Sequence, residues 1–481
     1  MVGKAVQSEN WSGWQFWRRI APRPLALAAL VSAALLLFSL ASPPARSQAE
    51  SKGPFLGVAS CAGSTCHGRM EGDGTPVRQD ELMKWQEPST PGGAHSRAFA
   101  VLSNSRSDFI AKNLGIGDPA SAKMCLGCHS SEAAAGGGSF RYQKDDGVGC
   151  ESCHGAAGGW IANHYTGTQP PPEKHQINLA NGLVKLEDPR VRAALCVNCH
   201  FGSATDGQFV THQIMAAGHP RIAFELDLFS TMQQHHAEDA DYGDRRWGMP
   251  GRTTDHVQMW AVGQTTALNR SLTLYQSKRG TQGIFPEFYF FDCHSCHRRI
   301  FDQAKPVKTG LDNPGRDIPE GFPPYNDENM ILLSAAAKVA SPALAAQYDK
   351  RVDAFHRAMA GDRAGAVAAA GQLAQSVSAL EAAFADTRFG GTSAFTLIDA
   401  IAGTAISPRY TDYEGSVQAV MGVDTLLNAL VSSGQVTVGG AAGIRADIDR
   451  AYDAVKEPNA FRPADFQAAL GRAARAIRTL Q

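Results

Sequence analysis

GVGCESCHGAAGGWIANH, residues 147–164, is the stretch on which the reading of this chain turns. Cys150 and Cys153 stand two residues apart, His154 follows at once, and His164 comes ten residues later. Two thiols a short loop apart can add across the two vinyl groups of one porphyrin. The adjacent imidazole then reaches the iron, so C-x-x-C-H is the attachment motif of a c-type haem.

The pattern recurs along the chain. All ten cysteines lie in five close pairs: Cys61/Cys66, Cys125/Cys128, Cys150/Cys153, Cys196/Cys199 and Cys293/Cys296. His67, His129, His154, His200 and His297 follow the second cysteine of each pair and are the expected proximal iron ligands. With 15 histidines in 481 residues, five such coincidences have a chance on the order of 10⁻⁸, which argues against simple disulfides. Structural zinc combines cysteine pairs or spaced histidines and has no need of a histidine directly after each pair. Five haem c groups are therefore expected. The first site departs from the pattern, with four residues between Cys61 and Cys66 and Gly63 where the usual first cysteine would stand. The alternative there is a single thioether with Cys61 unused.

Ten histidines remain, enough to give every iron a second imidazole. Only His356 lies beyond residue 297; the rest crowd the cysteine-bearing stretch, as ligands would. His95 opens an apparent helix with Phe99, Val101 and Leu102. His164 is close enough to serve a neighbouring haem. His212 and His219 stand seven apart, two helical turns, although Gly218 and Pro220 place the second at a helix end. Of the adjacent His235 and His236, at most one should ligate a given iron. These six are the distal candidates. His175 and His256 are weaker distal candidates, with solvated loop residues as the alternative, and His294 lies awkwardly for its own iron; Met70, Met83 or Met215 could replace a histidine. The third motif begins 21 residues after His129, which favours a close pair of second and third haems.

The N-terminus reads as a secretory signal over residues 1–49: Lys4, Arg18, Arg19 and Arg23, an apolar run from Leu25 to Ala41, then a small-residue site ending at Ala49. Retention as a membrane anchor is the alternative. Removal of the segment turns 45 basic against 46 acidic residues into 40 against 45. No basic patch suggests nucleic acid, and a redox protein partner in the periplasm fits better. Residues 50–304 would form the haem domain and 305–325 a proline- and glycine-rich linker. Residues 326–481 would form an Ala-rich helical domain, for docking or support, with apolar spacing over 364–386, 414–432 and 463–480. Residues 258–276 also read as a helix.

Four segments resemble the multihaem cytochromes built around the tetrahaem domain of nitrifying bacteria: SCAGSTCHG, GVGCESCHGAAGGWIANH, AGHPRIAFELDLF and PEFYFFDCHSCH. The resemblance covers about residues 55–300. It implies a mainly α fold of short helices and long loops wrapped around stacked, mostly bis-histidine haems. By the same likeness Trp160 packs on a haem, and His164 and His219 are distal ligands. The long first loop and the cysteine-free C-terminal third depart from the family pattern. The expected role is electron transfer between redox partners, small cytochromes or membrane quinol-linked complexes. A haem enzyme acting on hydroxylamine, nitrite or sulfite at one five-coordinate iron is the alternative. A haem-based sensor would need a signalling domain that the C-terminal third does not resemble.

Overall fold

The computed structural model describes residues 53–72, 78–131, 138–204, 208–236, 238–239, 253–281, 286–297, 322–326, 328–390, 392–406 and 413–481. The expected signal segment and most of the expected linker lie outside them. The described chain forms one compact unit. It is mainly α, and its only β pairing among the described residues is two isolated bridges, Phe55 with Gly138 and Phe291 with Tyr325.

The first part is built of short helices joined by long loops. They are α1 (Glu81–Gln86), α2 (Ser105–Leu114), α3 (Lys123–His129), α4 (Cys150–His154), α5 (Ile161–Thr166), α6 (Pro171–Ala180), α7 (Pro189–His200), α8 (His212–Ala216) and α9 (Leu226–Met232). Local chemistry sets their ends. Asn104 caps α2 by accepting from Ser107 N, and Gly115 closes it in the left-handed region at φ 66°. Asp188 caps α7, whose first residue is Pro189, where a missing N–H costs nothing. The segment opening at His95 is not a continuous helix: it consists of 3₁₀ turns at His95–Arg97 and Ala100–Ser103, and only Leu102 of its apolar residues is buried.

From residue 256 the helices lengthen. α10 (His256–Gln276) is capped by Asp255, which accepts from Gln258 N. It is buried nearly all round, as a helix at the centre of a core must be, with Trp260, Leu268, Leu272 and Tyr275 at 1% exposure or less. Around it and beyond it lie α11 (Met330–Ala340), α12 (Pro342–Met359), α13 (Arg363–Asp386), α14 (Ser393–Ala405), α15 (Tyr413–Ser432), α16 (Val438–Ala454) and α17 (Pro463–Arg478). α10 packs on α13, α7, α9 and α15, so one apolar core runs from Ala193 to Ile477 across both sides of the proline- and glycine-rich segment. Buried amides tie the parts together. Asn329 donates to Gln264 Oε1 at 2.7 Å, Gln264 to Gln418 Oε1 at 3.2 Å, and Gln418 to the Phe224 carbonyl at 3.0 Å. Among the described residues no helix is long and apolar enough to cross a membrane.

Candidate haem sites

Local contacts shape the first and third attachment motifs. In the third, α4 carries Cys150, Cys153 and His154, and the Glu151 carboxylate between them is buried. It accepts from Leu56 N at 2.8 Å, Gly57 N at 2.8 Å and Ala157 N at 2.6 Å, pinning the N-terminal strand of chain to the motif. Gly155 leaves the helix at φ 81°, and a side chain there would run into the Gly182 carbonyl. In the first motif the longer loop closes on itself: Cys66 N donates to Gly63 O at 2.8 Å and His67 N to Cys61 O at 3.2 Å. Both thiols therefore flank one tight turn. The glycine that this turn demands is Gly68, packed on the Ala62 carbonyl; at Gly63 a side chain would make only ordinary contact.

The histidines come together in five groups, each holding one motif histidine. Ring centres lie 6.2 Å apart for His67 and His164, 6.0 Å for His200 and His95, 6.3 Å for His129 and His219, and 6.1 Å for His297 and His212. His154 faces both His236, at 5.9 Å, and His235, at 6.4 Å. An iron between two imidazoles, with metal–nitrogen bonds of about 2 Å and about 1.2 Å from each nitrogen to its ring centre, would set the centres about 6.4 Å apart. The donor set and its spacing thus fit haem iron at all five motifs. The residues that would hold it are the motif cysteines and these paired imidazoles.

The other histidines are engaged elsewhere. His175, on α6, bonds Glu187 at 2.9 Å, and His256 is the first residue of α10, bonded to Asp227 at 2.9 Å; neither is a loop residue. His294 turns from its own motif toward the Pro458 carbonyl at 3.1 Å and the Phe461 ring. His356 is buried beside Phe355 in the C-terminal helices.

Burial keeps the facing imidazoles in the neutral form that can ligate a metal: it pushes His164, His200 and His235 down to about 4, and His95 and His219 also downward. Their outer nitrogens find acceptors, which orients the rings. His129 Nδ1 bonds the Ala98 carbonyl at 2.7 Å, His219 Nδ1 the Pro220 carbonyl at 2.7 Å, and His235 Nδ1 the Gln233 carbonyl at 2.8 Å. His67 Nδ1 bonds a carboxylate instead, Glu81 Oε2 at 3.0 Å, which raises its basicity. Burial alone would push Glu81 up, but hydrogen bonds from His236 and His67 outweigh it and hold the carboxyl well below its usual range.

The cysteines show which motifs adjoin. Cys61 lies within hydrogen-bond reach of Cys150, and Cys128 of Cys199. Burial raises the thiol pKa of both Cys153 and Cys196, and Cys153 is near enough to raise that of Cys196 further, as Cys199 is for Cys153. The second and third motifs do meet, but through backbone and hydroxyls: Ser131 Oγ lies 2.6 Å from Ser152 Oγ and accepts from Gly149 N at 2.7 Å. The sulfurs group first with third, third with fourth, and fourth with second. The fifth joins the second through α8, whose first residue His212 faces His297 while His219, just past its end, faces His129.

That fifth motif is built largely on the C-terminal helices, which the sequence suggested only for docking or support. Tyr413 N donates to Asp292 at 3.0 Å and Cys293 N to Glu414 at 3.2 Å. The half-buried Arg221 lies 3.8 Å from the Cys293 sulfur and packs on the Tyr289 ring. It pairs with Glu414 at 3.4 Å and Glu328 at 3.6 Å. Glu81, Arg221 and Glu414 do not stand out in the sequence. Glu151 alone carries a signal, as a charged residue inside a motif.

Residues 60–155, which hold the first three motifs, match the family model described as cytochrome c554 and c-prime. Neither the curated proteins nor the solved structures contain a match to the chain. Over that stretch the chain resembles the multihaem c-type cytochromes of nitrifying bacteria, and the match supports a mainly α protein that binds haem c covalently and takes part in electron transfer.

Proposed function

We propose that the chain is a periplasmic electron carrier holding five haems, each closed by two imidazoles, and passing electrons between separate redox proteins. The observation that carries this reading is that every motif histidine faces at least one further histidine at 5.9–6.4 Å. Bound haem supplies one-electron redox chemistry. The chain's own residues would attach it, offer two imidazoles to each iron and set the order of the sites.

By the sulfur and α8 neighbours, that order is first, third, fourth, second, fifth. Exposure supports the same order: Cys66 and Cys296, in the two end sites, are the exposed cysteines, and the others are half-buried. An electron can then enter at one face and leave at the other. The partners fitting this are small cytochromes or membrane quinol-linked complexes.

Two measurements on the purified holoprotein test the reading. Pyridine haemochrome assay with intact mass should give five haems per chain, and ferric EPR normalised to haem should show all iron low-spin. High-spin signal from one iron in five would open a substrate position. It would turn the reading toward an enzyme acting on hydroxylamine, nitrite or sulfite.

A further inference from the structure

We propose that Glu81 is a positioning residue shared by two haem sites, one carboxylate that accepts from His67 of the first site and from His236 of the third and lowers the potential of both. The inference rests on the five-haem reading above and adds that His236, not His235, ligates the third iron.

Glu81 is the first residue of α1, and its side chain is only 6% exposed. Oε2 lies 3.0 Å from His67 Nδ1 and Oε1 lies 3.5 Å from His236 Nδ1. The Gln79 N–H, at 3.2 Å, fixes Oε1 further, and Leu82 N donates to the His67 carbonyl at 3.0 Å, so helix and ligand are braced at two levels. An ionised carboxylate has about four acceptor positions, enough for both rings at once. With each Nδ1 turned to Glu81, the Nε2 of His67 is left for the side facing His164, and that of His236 for the side facing His154. His235 is held differently, by the Gln233 carbonyl.

A carboxylate on the outer nitrogen of a ligating imidazole orients the ring and makes it a stronger donor. A stronger donor stabilises ferric over ferrous iron, so the potential falls. Because the first and third motifs adjoin at Cys61 and Cys150, one carboxylate acting on both keeps neighbouring sites close in potential. An electron step between them then runs nearly level.

The experiment is spectroelectrochemical titration of the full-length holoprotein carrying Glu81→Gln, with ferric EPR on the same samples. Gln keeps the shape and removes the charge. The expected result is five low-spin haems, of which two become easier to reduce by about tenfold in their ferric/ferrous equilibrium, about 59 mV each. The other three should not move. Glu81→Asp, which keeps the charge, should return both toward the parent values, an outcome that a merely structural role would not give. His236→Ala should turn one haem high-spin and His235→Ala should not.

A shift confined to one haem, no shift, or high-spin iron from His235→Ala instead would overturn the proposal. If Glu81→Gln loses haem, Glu81→Asp and the histidine pair still decide it. Failure of the five-haem reading would already show in the parent protein, as a lower haem count or high-spin iron, before any variant is made.

Discussion

Residues 53–190 and residues 330–481 are of similar length and hold themselves together in different ways. Among the described residues, the first stretch buries Val58, Trp85, Leu102, Trp160 and three alanines as its whole apolar interior. The second buries Leu, Ile, Val and Phe along every one of its long helices, from Leu332 to Ile477. A chain with so few large buried side chains cannot offset its conformational entropy by its own burial. What it has instead is side-chain clamps on backbone, such as Glu151 on three amides, and at least one member of four of the five facing histidine groups. The lesson is that the first region is shaped around porphyrin and the second around its own apolar residues. The fifth site, resting on Tyr413 and Glu414, is where the two kinds of construction meet.

The largest expected effect follows directly. Chain made without haem attachment, by changing all ten cysteines to alanine, should lose residues 53–190 to limited proteolysis while a fragment covering 330–481 survives. Circular dichroism of that fragment should remain helical. Protection of the first region without haem would break the comparison.

A single core deletion sharpens it from the other side. Phe384, on α13, is fully buried against the central helix region. Phe384→Ala should cost about 3–5 kcal/mol in the holoprotein, read by denaturant unfolding, through lost burial and the cavity left behind. Haem absorbance should survive to higher denaturant than the α-helical signal loses it only if the two regions unfold apart. A cost below about 1 kcal/mol would mean that the helices close over the gap.

How far this could be seen in advance differs between the same two regions. The attachment sites are legible because thioether chemistry demands fixed local spacing, and so are the helices over 258–276, 364–386, 414–432 and 463–480, whose apolar residues repeat every three or four positions. α16 was hidden by Gly439, Gly440 and Gly443, which break its pattern, and α14 by its threonines and Gly403. The facing of His95 with His200 or His212 with His297 depends on folding across many residues, which no local pattern carries. Sequence distance favoured a second–third pair; those motifs meet through Ser131 and Ser152, while the sulfurs group the first with the third and the second with the fourth. His256 read as a weak ligand candidate or a loop residue because Asp227, its partner, lies 29 positions earlier.

A weaker effect is expected at the seam. Glu225 caps α9 by accepting from Asp227 N and Leu228 N, and it also accepts from Thr425 of α15 at 2.7 Å. Burial, reinforced by the Asp227 carboxylate, pushes it up to about 7. The folded protein therefore holds a proton that the unfolded chain releases near 4.5. Its contribution is fully present below about pH 4.5 and declines as pH rises toward 7. Unfolding midpoints at several pH values should show this fall, and Glu225→Gln should flatten it. A parent protein whose stability rises across that window, with Glu225→Gln unchanged from it, would place the titration elsewhere.

The smallest effect separates a cap from a seam. Asp255 accepts from Gln258 N at 2.9 Å to start α10, and its second oxygen accepts from Phe389 N at 2.9 Å, beyond the end of α13. Asp362 caps α13 through Gly365 N at 2.8 Å and reaches no other element in that bond. Asp362→Ala should cost about 1 kcal/mol, the worth of an N-cap. Asp255→Ala should cost about 2 kcal/mol, because it also leaves the Phe389 amide without its acceptor. Asp255→Asn can keep one acceptor oxygen and should fall between them. If Asp255→Ala and Asp362→Ala cost the same, the Phe389 bond adds nothing, and α10 is held to the C-terminal helices by apolar packing alone.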